Sequence, residues 1–283
     1  MQSDVYLQIK LKYNTFTASH RKLADFVLNN PDFLLSHSIS EVAGACDVGE
    51  ATISRFCKML GFKGYHDFKL SIVKYLPTDE STEIIGSAIT EEDSILTMAK
   101  RILSKDIEAL NETGNLIKAD DIRTAVDLLT AAKRIMFFGV GSSAAVALQG
   151  CNKFMRITPN VSVNIEGHMQ YVSASLMSEQ DVAVIISYSG STKEIVDIAR
   201  TAKERGAKII CITRYLKSPL TNFSDLSLLC STNERLVHGY SLSMELTQIY
   251  LLDVLYTEFF RKNYDKSQRN KEDSSSILSD KLF

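Results

Sequence analysis

The stretch VGEATISRFCKMLGF, residues 48–62, places two different faces on one predicted helix. Its apolar residues recur at i, i+3, i+4 and i+7, which is the spacing of a buried helix face. They are Ile53, Phe56, Cys57 and Leu60. The opposite face is short-chained and basic, and it consists of Ala51, Ser54, Arg55 and Lys58. Taken alone, this face fits a surface helix with solvated charges as well as a helix that approaches a second macromolecule.

The residues before this helix indicate a helix-turn-helix. Ser40 is the expected N-cap of a helix with Val42 and Ala43 on its apolar face, and residues 47–49 then form a short turn. In such a motif the second helix enters the major groove of DNA, where short side chains permit close approach and basic ones meet phosphates and guanine edges. The residues predicted to contact double-stranded DNA are Glu50, Ala51, Thr52, Ser54, Arg55 and Lys58.

Positive charge is concentrated around this motif, although the whole chain is slightly acidic. The formal net charge is −2, from 32 Lys and Arg against 34 Asp and Glu. Residues 50–75 carry five basic side chains against two acidic ones, a local charge of +3. The overall charge predicts no polyanion partner, whereas the local excess is consistent with DNA at the motif.

Composition excludes several classes of protein. The five cysteines are odd in number and make no C-x-x-C pair, so the sequence predicts reduced core thiols, no metal site and no cofactor. No apolar leader follows Met1, and no stretch approaches the roughly 18 apolar residues of a membrane span. We therefore expect a soluble cytoplasmic protein without a membrane partner.

The chain divides into two predicted domains of different class. Residues 1–77 indicate an all-α helix-turn-helix domain, and residues 78–92 mix proline, glycine and acidic residues as a linker does. Residues 93–263 alternate short apolar runs with helix-length segments, which predicts an α/β domain with a doubly wound parallel sheet. The predicted strands are residues 134–138, 161–164, 181–186, 208–213 and 225–230. Residues 264–283 are strongly polar and predict a solvated or disordered tail.

The first domain resembles a known family. Residues 39–69, ISEVAGACDVGEATISRFCKMLGFKGYHDFK, resemble the N-terminal domain of the RpiR family of bacterial transcription regulators, through A-T-I-x-R-F and the L-G-F-x-G-Y that follows. One departure is Gly49, where the family usually has a serine as helix cap. Glycine is a weaker N-cap, so a looser entry to the helix is expected.

Two loops of the second domain predict an anion site. G-V-G-S-S (residues 139–143) and S-Y-S-G-S-T (residues 187–192) each follow a predicted strand and precede a helix. Loops at the carboxyl ends of adjacent parallel strands meet at one edge of the sheet. Their hydroxyls and the free N–H groups of the following helices would bind an anion without a basic residue, and phosphate fits best. A dinucleotide site is the competing interpretation, but Ala144 stands where a third glycine would be expected.

The second of these loops resembles the phosphosugar signature of the sugar isomerase (SIS) domain, and the resemblance extends from about residue 121 to residue 260. It implies a phosphate bound by hydroxyls of both loops. The implied residues are Ser142, Ser143, Ser187, Ser189, Ser191 and Thr192. The resemblance also implies that His168 and Glu234 face the sugar. A helix-turn-helix followed by a SIS domain is the RpiR arrangement, so the two resemblances reinforce each other.

The sequence therefore predicts a transcription regulator of carbohydrate metabolism that binds operator DNA as a homodimer or homotetramer and senses a phosphorylated sugar or amino sugar. No catalytic residue is assigned. The alternative is a phosphosugar isomerase of the SIS class, which needs a carboxylate or histidine for proton transfer; the candidates are Glu166, His168, Glu234 and His238. Such an enzyme does not need a helix-turn-helix, and a fused amidotransferase would carry cysteine where this chain has Gln2. A binding module with a purely structural helical domain would leave the basic face of residues 51–58 unexplained.

Overall fold

The computed structural model describes residues 12–73, 92–231 and 243–279, together with Val5, Ile9 and Ile89. The chain forms two compact units, residues 1–108 with 233–243 and residues 109–232 with 244–283. The division falls inside a helix, whereas the predicted linker, residues 78–92, lies almost wholly outside the described residues. None of the helices described is long and apolar enough to span a bilayer.

The first unit is a bundle of short helices packed around aromatic residues. The helices are α1 (Ala18–Asn29), α2 (Pro31–Ser36), α3 (Ile39–Ala45), α4 (Glu50–Met59), α5 (Tyr65–Val73) and the first part of α6 (Ile95–Leu116). Phe56 of α4 is fully buried, and its ring lies edge-on to those of Phe16 and Phe68, with centroids 5.2 and 5.9 Å away. Removing such an aromatic contact would therefore disturb the whole unit, because the ring joins three segments.

The predicted helix-turn-helix is present as α3, the turn 46–49 and α4, but the cap of α3 is Ser38 rather than Ser40. The Ser38 hydroxyl accepts from the Glu41 N–H at 3.3 Å, and the Glu41 carboxylate accepts from the Ser38 N–H at 2.8 Å. This reciprocal capping box satisfies two first-turn donors at once, and Ser40 has no acidic residue three positions later to form one. Ser40 instead lies within α3.

The second unit contains the predicted doubly wound sheet. Its strands are β1 (Arg134–Gly139), β2 (Val161–Val163), β3 (Asp181–Ile186), β4 (Lys208–Thr213) and β5 (Leu226–Leu229). All pair in parallel in the order β2-β1-β3-β4-β5. The helices between and after them are α7 (Ala119–Ala131), α8 (Ser142–Met155), α9 (Gly167–Ser175), α10 (Lys193–Glu204), α11 (Met244–Lys262) and α12 (Tyr264–Ser279). The five strand predictions are confirmed to within one residue at each end.

Both faces of the sheet are covered, because successive strand residues point to opposite sides. Phe138 belongs to a buried cluster with residues of α9 and α10, such as Ala174 and Ile195. Its neighbour Phe137 instead lies 5.8 Å, ring centroid to ring centroid, from Phe154 of α8. A strand buried on both faces reads as a continuous apolar run, as in the VAVII of β3.

The segment predicted as a solvated tail forms helix α12 as far as residue 279. Its polar side chains account for the difference. Asn270 donates to the Ile157 carbonyl at 2.9 Å, and Arg156 donates to the Ser275 hydroxyl at 3.0 Å. Composition predicts whether a segment can bury apolar surface, but it does not predict hydrogen bonds of this kind to a neighbouring element.

Candidate functional sites

The basic face of α4 is accessible. The predicted core positions Ile53, Phe56 and Cys57 are fully buried, which confirms the assigned helix phase. On the other side the side chains of Ala51, Arg55 and Lys58 are exposed, and those of Thr52 and Ser54 are half-buried. A duplex could therefore approach this face without any rearrangement of the core.

The start of α4 is held by contacts other than an N-cap side chain. Gly49 is its N-cap and supplies no side-chain acceptor, as the sequence predicts. Asp47 in the turn has a φ of +52°, a left-handed conformation that Asp tolerates better than most residues. Glu50 accepts a hydrogen bond of 2.5 Å from Ser40, so its carboxylate joins α4 to α3. Glu50 thereby links the two helices, a contact that no sequence pattern predicted.

His20 of α1 is a neighbour of the basic face that the sequence analysis missed. Its ring packs against Phe56 with centroids 5.6 Å apart. Burial lowers the pKa of His20, and the charge of Arg55 lowers it further. The neutral imidazole is therefore favoured beside the Arg55 guanidinium.

The two hydroxyl-rich loops meet where the sheet changes its winding direction. From β1 the chain passes through α8 outward to β2, and from β3 it passes through α10 outward to β4 on the other side. β1 and β3 are neighbours, with Gly139 paired to Ile186 at their carboxyl ends. Loops that diverge from adjacent strands in this way leave a crevice, which is the usual ligand position in open α/β sheets.

The first loop, residues 139–143, is held close to the sheet. A Cβ on Gly139 would lie 2.4 Å from the Ser143 carbonyl oxygen, so only glycine permits this approach. The buried amide of Gln170 clamps the same residue: its Oε1 accepts from the Gly139 N–H at 3.2 Å, and its Nε2 donates to the Gly139 carbonyl at 2.9 Å. Gln170 positions the loop from α9, and the sequence analysis did not identify it.

The second loop, residues 187–192, is a compact turn. The Gly190 N–H donates to the Ser187 carbonyl at 3.3 Å, and the Ser191 N–H donates to the Ser189 hydroxyl at 3.2 Å. Ser187 is buried, Ser189 and Ser191 are half-buried, and Thr192 is exposed. The hydroxyls of this loop thus lie at several depths on the rim of the sheet.

Both loops lead into helices whose first amides are not taken by a capping side chain. Gly141, the N-cap of α8, has no side chain, and Thr192 at the N-cap of α10 makes no side-chain cap hydrogen bond. By contrast, the Glu166 carboxylate caps α9 and accepts from the His168 and Met169 N–H groups at 3.1 and 2.8 Å. The first amides of α8 and α10, at the edge of the sheet where the two loops meet, are therefore open to an anion.

The remaining candidate residues differ in their positions and contacts. Hydrogen bonds from the Met169 and His168 amides hold the pKa of the exposed Glu166 carboxyl below its usual range. His168 is exposed in the first turn of α9, which follows the carboxyl end of β2. Glu234 and His238 lie outside the described residues.

A groove of about 550 Å³ lies between α7 and α11, lined by Ile122, Tyr250 and Val254 among others, and none of the predicted phosphosugar residues lines it. Within the described ranges no group of His, Cys, Asp or Glu side chains is arranged to hold a metal ion. All five cysteines are buried and unpaired, as predicted, and burial raises the pKa of Cys57 and of Cys230 to about 12.

Each of the two units matches a known protein family. Residues 3–79 match the model of the helix-turn-helix domain, rpiR family, and residues 128–257 match the model of the SIS domain. An uncharacterized HTH-type transcriptional regulator of Caldanaerobacter subterraneus is 34% identical over 98% of both chains. The HTH-type transcriptional regulator HexR of Escherichia coli is 32% identical over 98% of this chain and 94% of its own.

Among solved structures, the Vibrio vulnificus NanR protein complexed with ManNAc-6P is similar over 98% of this chain and 99% of its own, with a TM-score of 0.84. The identity between the two is 23%, so this likeness concerns the fold.

Proposed function

Since the chain belongs to the RpiR family of helix-turn-helix transcriptional regulators, we propose that its SIS domain binds a phosphorylated sugar or amino sugar and thereby changes the affinity of α4 for operator DNA. The observation that carries the proposal is the meeting of two hydroxyl-rich loops at the switch point of the sheet, each followed by an uncapped helix. The bound ManNAc-6P of NanR supports phosphorylated amino sugars as members of the effector class. We propose that it acts on chromosomal DNA in the cytoplasm.

We assign the effector site to recognition rather than chemistry. Ser142, Ser143, Ser187, Ser189, Ser191 and Thr192 are the proposed phosphate-binding residues, and His168 and Glu234 are proposed to face the sugar. An isomerase would need a base beside the sugar carbons. The Glu166 carboxylate is engaged by two amides of α9 and its pKa is lowered, which suits a helix cap better than a proton acceptor.

On the DNA side, the proposed contacts divide by the geometry of α4. Ala51 and Thr52 in the first turn lie nearest the bases, Ser54 permits close approach, and Arg55 and Lys58 meet phosphates or guanine edges. Glu50 is proposed to act at the DNA mainly by holding α4 against α3 through Ser40.

We propose that two copies of the chain associate through α9. Four exposed apolar residues form a stripe along and beside it: Met169 and Val172 lie one turn apart on the helix, Ile165 precedes its N-cap and Leu176 is its C-cap. Between 46% and 66% of the surface of each of these residues is exposed. A second copy of the same stripe would bury them in a twofold interface, and twofold symmetry matches the inverted half-sites that helix-turn-helix proteins read. His168 would then lie close to the partner.

The DNA assignment predicts that Arg55→Ala and Lys58→Ala each weaken operator binding about tenfold and lower the salt dependence of binding by about one phosphate contact. Both side chains are exposed, so stability should change by less than about 0.5 kcal/mol. Lys266→Ala on α12 is the matched control, since it removes the same charge from an exposed helix position of the other unit. Fluorescence anisotropy with DNA from a genomic target, measured at a series of salt concentrations, gives the affinity of each variant. Equal affinity for all three variants would remove α4 from the interface.

The effector assignment predicts that Ser187→Ala, Ser189→Ala and Thr192→Val each weaken sugar-phosphate binding by about 0.5–3 kcal/mol, the range for hydrogen bonds to neutral and charged partners. A panel of sugar phosphates ranked by the shift in Tm measures this, because a ligand at about 100 times its Kd adds about 2.7 kcal/mol of stability. Ser162→Ala, at an exposed position of β2, is the control and should respond like the wild type. The assignment is wrong if no sugar phosphate raises Tm, or if the loop variants respond as fully as Ser162→Ala.

A further inference from the structure

Arg214 lies beside the second loop. It directly follows the last residue of β4, at the carboxyl edge of the sheet where both loops meet. Its backbone N–H donates to the Tyr188 carbonyl at 3.0 Å, and the Thr213 hydroxyl donates to the same carbonyl at 3.2 Å. The backbone of Arg214 is therefore fixed against the middle of the loop that carries Ser187, Ser189 and Thr192.

The guanidinium of Arg214 lies close to two aromatic rings. Its central carbon is 5.8 Å from the ring centroid of Tyr188 and 5.4 Å from that of Tyr215. The side chain is half-buried. Burial lowers the pKa of Arg214, but the neighbouring phenols of Tyr188 and Tyr215 raise it by more. The group therefore carries a permanent positive charge in a fixed position.

No carboxylate pairs with Arg214 in the part of the chain that the structure describes. Other arginines of the second unit form close ion pairs: Arg134 lies 2.6 Å from Asp181, and Arg261 lies 2.7 Å from Glu258. A partly desolvated cation without a counter-ion costs free energy, and that cost is recovered when an anion from outside pairs with it.

We propose that Arg214 is the cation of the effector site and pairs with the phosphate held by residues 187–192. The proposal rests on the function proposed above, and it changes the expectation that hydroxyls and amides suffice for the anion. It also gives the site a reason to prefer a phosphorylated sugar over the free sugar, since the neutral compound would leave the guanidinium without an anionic partner. The competing role is a structural clamp, in which Arg214 only holds Tyr188 and Tyr215 in place.

The test measures binding of inorganic phosphate by the shift in Tm, at constant ionic strength with chloride as reference. Arg214→Gln is expected to bind phosphate at least about tenfold more weakly than the wild type. Arg214→Lys should lose less affinity, because hydrogen bonds to a charged partner are the stronger ones. Lys133→Gln removes an equal charge from an exposed position directly before β1, at the opposite, amino edge of the sheet, and is expected to stay within about twofold of the wild type. Arg214→Met replaces Arg214→Gln if the latter does not fold.

The pH dependence separates the two roles. Phosphate gains its second negative charge between about pH 5 and about pH 8, and a fixed guanidinium favours that form. Wild type and Arg214→Lys should therefore gain affinity across this range, and Arg214→Gln should gain much less. A clamp would lower the Tm of the unliganded variants and leave the pH profile of binding unchanged; this result, or wild-type affinity in Arg214→Gln, overturns the proposal. If Ser189→Ala weakens binding while Arg214→Gln does not, Arg214 is excluded and the effector site stands. If the wild type binds no phosphate, both fail.

Discussion

Replacing Gly190 with alanine is expected to destabilise the second unit by about 3 kcal/mol and to abolish sugar-phosphate binding. Gly190 has a φ of +59°, which costs an L-residue roughly 1–2 kcal/mol. The added Cβ would also lie 2.2 Å from the Ser218 hydroxyl oxygen and 2.7 Å from the Ser218 Cβ. Ser218 is buried and cannot swing away, so the loop itself must move. Overpacking of this kind typically costs about 1–3 kcal/mol.

Gly206→Ala is the matched control for this substitution. Gly206 has a φ of +83° in the same unit, but its new Cβ would meet only Glu179, at an ordinary distance of 3.4 Å. It should therefore cost about 1–2 kcal/mol from backbone strain alone and leave ligand binding intact. Urea unfolding gives the two stabilities, and the sugar-phosphate panel gives the two affinities. If Gly190→Ala binds the effector as Gly206→Ala does, the turn does not shape the site.

The order of structural elements could be predicted from the sequence because each element has a period or composition of its own. The runs RIMFF and DVAVII are too short for helices and are apolar after their first residue, and they form the adjacent strands β1 and β3. The stripe of Ile53, Phe56 and Cys57 fixed the phase of α4 and thus which residues face solvent. Such patterns predict which side chains are buried, because the buried face of a helix or strand follows from the spacing of apolar residues along the chain.

Contacts between distant polar groups could not be predicted in this way. Gln170 and Gly139 are 31 positions apart, and their two hydrogen bonds depend on how α9 crosses the end of β1. Glu50 bonds to Ser40 on the preceding helix, although the sequence placed it only at the DNA. Arg214 escaped notice for the same reason, since nothing in its neighbours along the chain shows that Tyr188 lies beside it.

We propose that one effector couples the two units. A sugar phosphate can change transcription only if it favours one arrangement of the paired DNA-binding units, so its effect on DNA affinity must equal the effect of DNA on its own affinity. Such couplings are typically about 1–3 kcal/mol, or roughly 5- to 150-fold. We propose that the loop hydroxyls bind the effector and do not contact DNA.

The most direct test is a titration of operator DNA with and without a saturating amount of the sugar phosphate that raises Tm most, using wild type and Ser189→Ala. The wild-type affinity for DNA should change by about 5- to 150-fold when the ligand is added. Ser189→Ala should bind DNA like the wild type without ligand and should need a higher ligand concentration for any response. A wild-type affinity that does not move at saturating ligand, or a mutant that responds at the same concentrations as the wild type, would contradict the sensor mechanism.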